Sequence, residues 1–61
     1  MFVSEIMLNG MAKLNKLYLK IDEEHCQLFK NKRDMNHGVA FFKGNKSETY
    51  WRLVQFERNK K

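Results

Sequence analysis

The chain has 61 residues, 43% of them hydrophobic and 31% charged, a balance that supports one small folded domain and is too short for two separate cores. Its single cysteine, Cys26, excludes an internal disulfide and a zinc site of four thiolates, so packing, a second copy or a bound partner must support so small a core. Twelve Lys and Arg against seven Asp and Glu give a net charge of +5, which favours polyanionic partners; the excess is largest in the last third, where Lys43, Lys46, Arg52, Arg58, Lys60 and Lys61 face only Glu48 and Glu57.

The first ten residues carry Glu5 among their apolar side chains and no Lys or Arg ahead of them, which is unlike a secretory signal. No apolar run approaches the roughly 20 residues needed to span a bilayer. With the lone free thiol, these features predict a cytoplasmic protein with no membrane partner.

Two patterns compete over residues 2–21. Met7, Met11, Leu14, Tyr18 and Ile21 recur at the helical spacing of four and three, whereas Leu17, Leu19 and Ile21 alternate with Tyr18 and Lys20 as in a strand. Asn9-Gly10 is a strong signal for a two-residue hairpin turn, and a glycine inside a helix costs about 1 kcal/mol relative to alanine, so two strands are expected. Residues 22–33 begin with Asp22, Glu23 and Glu24 and end with Lys30, Lys32 and Arg33. That gradient suits a short helix capped by Asp22, with Ile21 against Cys26 at its entry. The competing reading there is a strand over residues 25–30 with Cys26 and Leu28 inward.

Residues 39–43 and 49–57 read as strands joined by a turn-like 44–48, an antiparallel hairpin that buries Trp51 and Leu53 and turns Tyr50, Arg52, Val54, Phe56 and Arg58 to the other face. The expectation is therefore a single α+β domain over residues 1–61, in the order ββαββ: a small antiparallel sheet with a C-terminal β-hairpin and one short helix. A five-stranded small β-barrel, with the helix replaced by a strand, is the alternative.

No catalytic constellation emerges. His25 and Cys26 are sequence neighbours and point in different directions on any regular element, so they do not form a nucleophile and base pair. Asp34 and His37, with His25 or Cys26, fit no standard zinc spacing. Asp22, Glu23 and Glu24 suit a helix start better than an acid/base pair, and Gly10, Gly38 and Gly44 are too isolated to cradle a phosphate. A non-enzyme without cofactor or metal is expected.

One pattern does point to a partner. On the strand readings, Lys16, Tyr18 and Lys20 share one face, as do Tyr50, Arg52 and Arg58, while Lys43, Lys46 and the Lys60-Lys61 tail add flanking charge. Aromatic rings that stack on bases, interleaved with cations that follow phosphates, suit RNA or single-stranded DNA. The alternative is a small inhibitor or adaptor of the kind phages encode, docking an aromatic surface or strand edge on a larger host protein. Apolar residues on both faces of the last predicted strand also predict a homodimer.

Overall fold

The computed structural model describes residues 3–59 and begins them with a helix, α1 (Glu5–Leu14). The Ser4 hydroxyl caps it by accepting the Met7 N–H at 3.1 Å, and Glu5 and Lys13 lie at the ends where the helix dipole favours them. Leu8 and Ala12 are buried on its inner face, with Met7 and Met11 packed beside them. Asn9-Gly10 therefore lies in the middle of a helix and not in a turn. Gly10 is exposed, and the apolar stripe overrides its unfavourable propensity.

The helix ends in a Schellman motif: the Lys16 N–H donates to the Lys13 carbonyl at 3.0 Å and the Leu17 N–H to the Ala12 carbonyl at 2.8 Å. The residue after the cap must turn left-handed, a role glycine usually fills. Here it is Lys16, with φ of 57°, the one non-glycine residue with positive φ among those described.

The chain then enters a hairpin of β1 (Tyr18–Ile21) and β2 (Cys26–Phe29), closed by the Asp22 N–H donating to the His25 carbonyl at 2.8 Å. Asp22 is thus a hairpin residue and caps no helix, and Ile21 stands opposite Cys26 across the pair. The acid-to-base gradient over residues 22–33 divides: its acids occupy the hairpin loop and its bases lead into α2 (Lys32–Asn36), capped by Asn31, whose Oδ1 accepts the Asp34 N–H at 2.8 Å. Gly38, with φ of 71°, closes α2 in a second Schellman motif, the Val39 N–H donating to the Asp34 carbonyl at 2.8 Å.

β3 (Phe42–Gly44) follows, and then α3 (Lys46–Arg58), which replaces the expected last strand. Asn45 and Glu48 form a capping box, each side chain accepting the other's backbone N–H, at 2.8 and 2.9 Å. Thr49 and Leu53 are buried one turn apart, and Phe56 packs on the core with its ring 6.0 Å from that of Phe41. Trp51, expected inside, is 57% exposed and meets Tyr50 edge-on at 5.3 Å.

The architecture is thus α+β in the order αββαβα, with an antiparallel sheet of order β1-β2-β3. It overturns both the ββαββ order with its C-terminal hairpin and the five-stranded barrel. α1 packs on β1, α3 on β2 and β3, and the two helices on each other. Between them and the sheet lies the core of Leu8, Ala12, Leu17, Cys26, Leu28 and Leu53. Gly44 permits the close approach of β3 to α3, since a Cβ there would stand 2.9 Å from the Phe42 ring and 3.1 Å from the Glu48 side chain.

Candidate nucleic-acid interface

The sheet has a second face, and strand alternation determines what stands on it. Leu28 is fully buried against the helices, so Gln27 and Phe29 point the other way. The register extends this across the sheet: Leu19, Leu28 and Phe42 form a row toward the core, while Lys20, Gln27 and Lys43 form a row on the opposite face. Lys20 and Lys43 are exposed and flank the half-buried Gln27. Two strand spacings set their backbones about 10 Å apart. None of the strand residues on this face is acidic.

Tyr18, two residues before Lys20, shares the face and is 40% exposed. Opposite it Phe29 is buried, although it stands apart from the main core. α2 begins three residues after Phe29 and packs on β2. The face is thus closed at Phe29 and open along Tyr18, Lys20, Gln27 and Lys43.

Beside it, a groove of about 640 Å³ runs between α1 and β1, and Tyr18 and Lys16 line it together with Lys13 and Asn9. Four of the expected residues therefore come together: Lys20, Lys43 and Tyr18 on the face, and Lys16 at its border. Gln27, Lys13 and Asn9 are members that the local sequence pattern does not reveal. β1 alternation predicts Tyr18 and Lys20, but cross-strand register, which brings in Gln27 and Lys43, is not written in either strand alone.

The remaining residues lie elsewhere. Tyr50, Arg52 and Arg58 belong to α3, where about 100° per residue sets Arg52 roughly 200° from Tyr50 and Arg58 roughly 80° from it, so they form no common face. Tyr50 is half-buried against the core, and the Arg52 guanidinium lies 5.7 Å from the centre of the Phe42 ring. Lys46 pairs with Glu5 at 3.4 Å. Lys60 and Lys61 lie outside the described residues.

A second concavity, lined by Asp22, Glu23, Glu24, His25, Asn45 and Ser47, sits at the hairpin loop. Among the described residues no group of three or more His, Cys, Asp or Glu side chains is arranged to hold a metal ion, and no helix is long and apolar enough to cross a membrane. No protein-family model, curated protein or solved structure matches the chain.

Proposed function

We propose that this protein is a small non-enzymatic module of the cytoplasm that binds single-stranded RNA or DNA on the open face of its sheet. The observation that carries the reading is the Lys20, Gln27 and Lys43 row beside the exposed Tyr18 ring, on a face whose strands contribute no acidic residue. Tyr18 offers a ring for a base to stack on, Lys20 and Lys43 offer two cations for successive phosphates, and the Gln27 amide offers a donor and an acceptor to a base edge. The net charge of +5 adds attraction at longer range.

The test is titration of short single-stranded RNA, single-stranded DNA and duplex DNA at two salt concentrations. Tyr18→Ala is expected to weaken single-strand binding by about 1–3 kcal/mol. Lys20→Ala and Lys43→Ala are each expected to lower the salt slope by about one unit. Absence of binding at low salt, or binding indifferent to all three replacements, refutes the reading.

A second reading, an inhibitor or adaptor that docks on a larger protein, rests on α3, where Trp51 is 57% exposed with Tyr50 against its edge. Aromatic anchors of this kind dominate many protein interfaces and respond weakly to salt. A partner captured from lysate that survives nuclease, and is lost with Trp51→Ala but kept with Tyr18→Ala, favours it.

A further inference from the structure

Resting on the single-strand reading, we infer that the groove between α1 and β1 receives a nucleobase of the same strand, with Lys16 held in a left-handed conformation to contact its phosphate. Tyr18 makes the connection, because it both stands on the open face and lines the groove. A strand stacked on that ring reaches the groove by continuing around β1, an edge strand of the sheet.

The groove is chemically suited to a base. Ala12, Leu17 and Leu19 give it an apolar lining that meets the face of a ring, and its volume of about 640 Å³ is that of a small-ligand site. Asn9 lines it with an amide that both donates and accepts, the pairing chemistry of a base edge. Lys13 and Lys16 supply positive charge, and no acidic side chain lines the groove.

Lys16 carries the inference furthest. Its position after the α1 cap calls for φ of 57°, which glycine adopts without strain and a side chain adopts at a cost. The motif's hydrogen bonds are made by the backbone alone, so nothing in the turn requires a lysine. Strain of this kind is kept where a side chain has a task, and the task available in this groove is a phosphate.

A second copy is a poor occupant, because two-fold pairing along β1 would bring Lys16 and Lys20 toward their own counterparts. An extended acidic peptide added to the β1 edge is the other chemistry that fits the charge, and it forms an arm of the test.

The experiment combines thermal unfolding with titration of a single-stranded oligonucleotide by wild type, Lys16→Gly, the Asn9→Ala/Lys13→Ala pair and Tyr18→Ala. Lys16→Gly is expected to raise the thermal midpoint while weakening binding several-fold and lowering the salt slope by about one unit. The Asn9→Ala/Lys13→Ala pair is expected to weaken binding of an oligonucleotide of about six nucleotides more than that of a dinucleotide too short to reach from Tyr18 into the groove. If Tyr18→Ala weakens binding while the groove variants bind as wild type does, the groove inference falls and the sheet-face reading stands. If the wild type binds no oligonucleotide, both fall. Tighter binding of a Glu-rich peptide than of any oligonucleotide, lost in the groove variants, assigns the groove to a peptide and overturns the inference.

Discussion

Trp51 and Leu53 stand two residues apart and have opposite fates. On a strand they would share a face, whereas on α3 they lie about 200° apart; Leu53 is fully buried and Trp51 is 57% exposed. Leu53→Ala is therefore expected to cost about 2–5 kcal/mol, and Trp51→Ala less than about 1 kcal/mol, its contact with Tyr50 being a surface one. Thermal unfolding of the two variants checks this, and the reverse order would restore a strand at residues 49–57. Thr49, one turn before Leu53, is also fully buried, yet its Oγ1 has no hydrogen-bond partner among the described residues. Thr49→Val removes that unpaired hydroxyl at nearly constant shape and is expected to gain about 1 kcal/mol in denaturant unfolding.

At the scale of elements, strand alternation is legible in both arms of the first hairpin, although a helical reading competes with it in each. Leu17, Leu19 and Ile21 against Tyr18 and Lys20 announce β1, and Cys26 with Leu28 fits the strand reading of β2. The same overlap of periodicities misleads at the C-terminal end. Residues 49–57 alternate as a strand, but Thr49, Leu53 and Phe56 also recur at four and three, and the signal that decides is local: Asn45 and Glu48 in capping-box spacing. At α1 the turn propensity of Asn9-Gly10 is outweighed by the Leu8 and Ala12 face, because tertiary burial overrides local preference. Replacements at these two places are expected to act with opposite sign. Asn45→Ala loses the α3 cap and is expected to cost about 1 kcal/mol. Gly10→Ala is expected to gain about 0.5–1 kcal/mol, since a Cβ there meets nothing within 4 Å. Denaturant midpoints moving in opposite directions confirm the pair, whereas loss of stability in Gly10→Ala would return Asn9-Gly10 to a turn.

For the whole molecule, the distribution of surface decides how copies meet. The dimer expected from the sequence was founded on apolar residues on both faces of a last strand, and that segment is a helix. Of its apolar residues, Tyr50 and Phe56 pack against the core and Val54 is half-buried, whereas Trp51, three residues before Val54, is exposed with Tyr50 against its edge. β1, one of the two edge strands of the sheet, carries Lys20 and follows Lys16, and like charges brought together across a two-fold axis oppose pairing there. Self-association is therefore expected to run through α3, with Trp51 as its anchor, leaving the Tyr18, Lys20 and Lys43 face open on each copy. Sedimentation equilibrium at high micromolar concentration is expected to show a mass that rises with concentration in the wild type and stays at the monomer value in Trp51→Glu. Added salt should strengthen association through the β1 edge, by screening its lysines, and should affect an aromatic α3 contact much less. A wild-type mass fixed at one chain across that range removes the dimer, and a dimer that survives Trp51→Glu but is lost with changes along β1 moves the contact to the sheet edge.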